Sequence, residues 1–106
     1  MQRLWLVGCS GIFEDTEREV EQEITIGRNA EVCQLVYPET ARGISGIHCR
    51  IQNTENGIFI TDLGSTNGTF LSDGTRLMSG RPQMVSAGQG FYLGSRENGF
   101  EIKAQI

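Results

Sequence analysis

The sequence predicts an all-β domain, an antiparallel β-sandwich of about ten to eleven short strands. Three observations carry this. Apolar and polar residues alternate with a period of two rather than 3.6. Turn signals such as Asn56-Gly57, Asp73-Gly74 and Asn98-Gly99 interrupt the chain at close spacing. No segment carries a convincing helical period. The 106 residues suit one domain, spanning 1–106, and leave no room for two. A chain this long buries a core without metals or disulfides, which become near-obligatory only below roughly 40 residues.

The elements follow in order. Leu4 to Val7 is a short apolar run closed by Gly8, Ser10 and Gly11. In the stretch EDTEREVEQE, Glu17, Glu19, Glu21 and Glu23 fall on one side and Val20, Gln22, Ile24 and Ile26 on the other. That pattern describes a strand with one wet face and one mostly buried face. The glutamates therefore read as a solvated strand face that also discourages edge-to-edge pairing. A break near Gln22 would split the stretch into two strands. Gly27-Arg28-Asn29 ends it. Cys33 to Val36 is another short run, stopped by Tyr37-Pro38, and YPETARGISG is a loop. His48 to Asn53 alternates, and Asn56-Gly57 turns the chain into Ile58 to Asp62. Thr69 to Leu71 and Thr75 to Leu77 read as a hairpin around Ser72-Asp73-Gly74. Gln83 to Val85, Gly90 to Leu93 and Phe100 to Lys103 complete the set.

Composition narrows the function classes. The chain is 38% hydrophobic and 21% charged, a globular balance. The net charge is −4, and residues 14–23 alone carry −5, leaving the rest at +1. A nucleic-acid partner is not expected, because duplex binders present a basic face. The remaining surface is neutral enough to hold a local cationic site. No run approaches the ~20 apolar residues of a membrane helix, so direct membrane insertion is not expected. Leu6-Val7-Gly8-Cys9 looks like a lipoprotein box, but too few apolar residues precede it for a signal peptide, and a first strand is the better reading. Cys9, Cys33 and Cys49 are odd in number and show no CxxC spacing. They point to a reducing, cytoplasmic compartment and to buried small apolar residues, with no metal or other cofactor.

Function belongs in the loops. Three of them hold polar groups out of proportion to their length: Gly27-Arg28, Ser45-Gly46-Ile47-His48, and Ser65-Thr66-Asn67-Gly68-Thr69. An arginine is a permanent cation with a planar fork of donors. Hydroxyls and glycine-flanked backbone N–H groups suit an anion. An asparagine amide offers both donor and acceptor, which suits gripping a peptide main chain. An anion with several strong acceptor oxygens is the ligand such a set fits.

"IGRNAEV", "GISGIHCRI" and "TDLGSTNGTF", in this order, resemble the forkhead-associated (FHA) domain with its GR, SxxH and (S/T)xNG motifs. The likeness is to the bacterial type and spans essentially the whole chain. It implies an FHA/SMAD-like sandwich with binding loops at one end and a non-catalytic module for phosphothreonine peptides in Ser/Thr kinase signalling or assembly. By the same resemblance Arg28, Ser45 and Thr66 bind phosphate and Asn67 holds the peptide backbone. Gly27, His48 and Gly68 support the site. Arg42 and Gly46 are candidates for further phosphate contacts. Gly46 stands where the family often has a basic or polar residue, which removes a side-chain contact. The partner expected is a phosphothreonine-containing protein or peptide, bound by a monomeric domain. Two other readings remain: a phosphate-independent interaction scaffold of degenerate FHA type, and a Ser45–His48 hydrolase oriented by Asp62. The hydrolase has no GxSxG elbow to support it.

Overall fold

The computed structural model of the protein describes residues 2–105. In it the alternating stretches become ten strands: β1 (Arg3–Gly8), β2 (Glu17–Glu19), β3 (Glu23–Gly27), β4 (Leu35–Val36), β5 (Cys49–Thr54), β6 (Gly57–Asp62), β7 (Thr69–Leu71), β8 (Gln83–Val85), β9 (Gly90–Leu93) and β10 (Gly99–Gln105). Two single 3₁₀ turns, Gly11–Phe13 and Arg96–Asn98, are the only helical pieces among the described residues. One sheet has the order β2-β1-β10-β9-β7 and the other β4-β3-β5-β6-β8. Each strand sends every second side chain inward. Leu4, Leu6, Phe91, Leu93, Phe100 and Ile102 of the first sheet thus meet Ile24, Ile26, Cys49, Ile51, Ile58 and Ile60 of the second in one core. Phe91 stacks on Phe100 at 5.5 Å between ring centroids.

The acidic stretch divides where the sequence indicates. β2 ends at Glu19, the chain crosses at the buried Val20, and β3 begins at Glu23 in the other sheet. β2 is the outer strand of its sheet, so its glutamates guard an open edge. Two of the acids are paired, Glu19 with Arg3 at 2.9 Å and Glu23 with Arg50 at 3.4 Å.

Five details depart from the expectation. β4 runs parallel to β3, so the second sheet is mixed rather than wholly antiparallel. Cys33 lies in the turn before β4, whose loop must double back to reach Ile26 from the parallel side. Thr75 to Leu77 pairs back on β7 through a single bridge, Phe70 to Arg76, with the Leu71 N–H donating to Thr75 and the Leu77 N–H to Thr69, and the pairing ends there as Leu77 turns into the core. Cys9 is exposed, since β1 ends at Gly8 and the chain leaves the sheet there, whereas Cys33 and Cys49 are buried as expected. Thr25 also breaks the alternation by being buried on the outer face, where Gln34 bonds both its N–H and its carbonyl.

The connections β3–β4, β4–β5 and β6–β7 carry the three polar motifs.

Candidate functional site

Gly27 ends β3 where the backbone of the 44–46 loop comes close. A Cβ at Gly27 would lie 2.2 Å from the Gly46 carbonyl oxygen, so only glycine permits the approach. The two segments then zip together: the Arg28 N–H donates to the Ser45 carbonyl at 3.2 Å and the Asn29 N–H to the Gly46 carbonyl at 2.9 Å. This sets Arg28 facing the loop. Its Nε–H donates to the Ile44 carbonyl and one Nη1–H to the Glu39 carbonyl at 3.1 Å. Two of the five guanidinium N–H groups have protein acceptors among the described residues, and three do not.

His48 fixes the serine loop from beneath. It is fully buried, with the Ser45 N–H donating to its Nδ1 at 3.1 Å and its Nε2 2.9 Å from the Gly68 carbonyl. An Nδ1 that accepts places the proton on Nε2, so the ring is neutral and donates to Gly68. Burial holds its pKa below the ordinary value, outweighing the opposing pull of Gly68 and of Asp62. The imidazole thereby ties the second loop to the third.

The third loop is built around Asp62, at the end of β6. Its carboxylate accepts from the Gly64 and Ser65 N–H groups, each at 3.1 Å, and from the hydroxyls of Ser65, Thr69 (2.7 Å) and Ser79 (2.7 Å). Burial alone would raise its pKa, but the donors from Ser65, Ser79 and Thr69 outweigh it and hold Asp62 below the usual range. The Ser65 hydroxyl accepts in turn from the Gly68 N–H at 2.9 Å, and Gly68 takes a φ of +88° that other residues rarely adopt. A buried, satisfied network like this makes a rigid turn. On its outer side it leaves Thr66 and Asn67 exposed.

The loops meet at a cleft of about 410 Å³ lined by Arg28, Ser45, Thr66 and Asn67 together with residues 39–44, among them Glu39 and Arg42. The Ser45 hydroxyl accepts from the Thr66 N–H at 3.0 Å, which leaves its own proton free to donate. The cleft therefore gathers two arginines, the hydroxyl residues Thr40, Ser45 and Thr66, one carboxamide and one acid, Glu39. Gly27, His48 and Gly68 lie behind it as supports. Gly46 lies outside the lining: its carbonyl is turned away toward Asn29, and the space where its side chain would begin is open.

Sequence reasoning missed Asp62 as the organiser of the loop, and missed the Glu39 and Ile44 carbonyls that hold Arg28. The Asp62 role had a local signal, an aspartate two and three residues before the N–H groups it accepts from. The arrangement is not that of a hydrolytic triad. His48 accepts from the backbone of Ser45, not from its hydroxyl, and Asp62 serves the turn hydroxyls.

The FHA domain family model matches residues 24–94, the stretch that contains all three motifs. The chain belongs to the FHA domain family. Among proteins similar to this FHA domain is "Probable serine/threonine-protein kinase fhkA" of Dictyostelium discoideum, 33% identical over 92 residues, covering 79% of this chain. The match takes up only 15% of that longer protein. Of solved structures, the FHA domain of an Arabidopsis thaliana hypothetical protein superposes with a TM-score of 0.85 at 25% identity, covering 100% of this chain and 88% of that one. The FHA domain of MEK1, solved in complex with a phosphothreonine peptide of HOP1, superposes with a TM-score of 0.75 at 22% identity, covering 97% of each chain. Both likenesses extend over the sandwich as a whole, including the strands before and after the family match.

Proposed function

We propose that this chain is a phosphothreonine-peptide-binding module that recruits a phosphorylated partner in Ser/Thr kinase signalling or assembly and performs no catalysis. The observation that carries the reading is Arg28. It is tied to two carbonyls of the facing loop, with unused N–H groups at a cleft whose other wall is Ser45, Thr66 and Asn67. In this reading Arg28, Ser45 and Thr66 hold the phosphate, and Asn67 grips the peptide main chain beside it. Arg42 supplies a second cation, and Gly46 contributes at most its backbone. Gly27, His48 and Gly68 keep the three loops in place. Residues 1–106 act as one FHA unit, monomeric and without a nucleic-acid partner. The three free thiols suit a reducing, cytoplasmic setting. The kinase context of the Dictyostelium relative and the phosphothreonine peptide bound by the MEK1 domain support the ligand class.

The test is a calorimetric titration of one peptide sequence as phosphothreonine, phosphoserine and unphosphorylated forms. The expected order is phosphothreonine first, phosphoserine weaker, unphosphorylated undetectable. The extra methyl is worth about fourfold in affinity when buried, and more where the pocket fixes its rotamer. Equal affinity for all three forms would favour the phosphate-independent scaffold.

A further inference from the structure

We propose that the phosphothreonine segment bound by this domain carries acidic residues beside the phosphothreonine, and that Arg76 and Arg81 read them. The inference rests on the phosphothreonine reading of the cleft and adds the chemistry of the ligand's flank.

Arg76 follows the Ser72-Asp73-Gly74 turn, which brings it back to bridge Phe70. Its guanidinium lies against Gly68, with Nε 2.8 Å from where a Cβ on that residue would stand. Gly68 is the neighbour of Asn67, so Arg76 lies beside the wall expected to hold the peptide main chain. It is also a prepared side chain. The guanidinium sits over the Phe70 ring at 5.6 Å, and Phe70 is stacked on Tyr92 at 5.1 Å. A cation held on an aromatic platform loses little freedom when a carboxylate binds it.

Among the described residues no side-chain hydrogen bond and no ion pair engages Arg76, although the chain has a net charge of −4. From Arg76 a groove of about 420 Å³ continues past Met78 to Arg81 and Pro82, and no acid lines it. Among the described residues the Arg81 guanidinium makes one hydrogen bond, to the Met78 sulfur at 3.7 Å. Six of the thirteen acids cluster away from this groove, while Asp73 stands in the turn before Arg76 and Glu39 lines the neighbouring cleft. Residues 14–23 hold six, leading into and through β2, and β2 is the edge of the first sheet opposite β7. An acidic ligand is thus repelled from one edge and drawn to the other. An extended peptide advances about 3.3 Å per residue. A carboxylate a few places from the phosphothreonine therefore comes level with Arg76 as the segment passes Asn67 and Gly68.

The experiment uses three synthetic phosphothreonine peptides. One has neutral flanks, one has two aspartates within four residues on the amino side, and one has them on the carboxyl side. Each is titrated at low and at physiological salt into the wild type, Arg76→Gln, Arg81→Gln and Arg28→Ala. One acidic peptide is expected to bind about three- to fivefold tighter than the neutral one at low salt, with a smaller gain at physiological salt. Arg76→Gln or Arg81→Gln should remove that gain and leave the neutral peptide's affinity unchanged. A gain that persists in both glutamine variants overturns the inference, as does the absence of any gain. Retained binding of the acidic peptide by Arg28→Ala overturns it too, since the groove would then be an independent acidic site. Failure of every phosphothreonine peptide to bind the wild type overturns the underlying reading instead.

Discussion

A guanidinium already tied to two carbonyls has little freedom left to lose when an anion arrives, and this is the position of Arg28. Arg28→Ala is expected to cost about 2–5 kcal/mol of phosphopeptide binding, a loss well beyond tenfold, because the pocket's fixed cation goes and neutral donors remain. Calorimetry with a good ligand reads it, and a thermal melt shows the fold intact. His48 behaves in the opposite way. It faces no solvent, and its two ring nitrogens join Ser45 to Gly68. His48→Ala leaves a cavity and an unpaired Ser45 N–H, costing about 1–3 kcal/mol for the orphaned group alone. For a domain of this size the melting midpoint should fall by about 4 °C or more. An unchanged midpoint with lost binding would assign His48 a direct role in the cleft. Sequence reading named both residues, and the serine loop that His48 braces, but not the carbonyls they bond. Arg28 is bonded to residues 11 and 16 places away and His48 to one 20 places away, contacts no local pattern displays.

At the scale of elements, the site depends on the close approach of the β3 end to the 44–46 loop. Gly27→Ala drives a methyl to within 2.2 Å of a backbone oxygen that has no rotamer to adopt, so the two bonds from Arg28 and Asn29 must part. Strain of this kind costs about 1–3 kcal/mol, and phosphopeptide affinity should fall with stability because Arg28 loses its placement. Gly46→Ala is the matched control: its Cβ meets open space and its φ lies outside the left-handed region, so melts and titrations should match the wild type. The strands themselves were legible from the two-residue period, down to the break between β2 and β3. Thr75 to Leu77 returns onto β7 as the hairpin signal indicates but stops at one bridge, because that signal reports the turn and not how far the ladder runs.

For the molecule as a whole, two buried groups set the acid limit of stability. His48 has a depressed pKa in the fold and an ordinary value of 6.5 when unfolded, so the unfolded state binds the proton first. Its contribution is complete above about pH 6.5 and is lost as the pH falls from there through the folded value. Asp62 follows the same sign from its ordinary value of 3.8 downward. Denaturant titrations should show constant stability from pH 8 to 7, a decline by pH 5.5, and a steeper fall below pH 4. His48→Gln should flatten the first decline and Asp62→Asn the second. A wild type equally stable at pH 7 and pH 5 would remove His48 as the titrating group.

The sequence by itself determined the fold class, the positions of most strands and the three loops that meet at the cleft, because period, turn residues and motif order are all written along the chain. Tertiary structure decided the parallel pairing of β4, the exposure of Cys9, the assignment of Asp62 to the turn and the placement of Arg76 against Gly68. Each of these depends on which groups a polar atom or a strand edge meets across the fold. The Asp62 carboxylate illustrates the reason: next to His48 in a sequence argument it looks like a triad member, and only the positions of Ser65, Thr69 and Ser79 show where its lone pairs are spent.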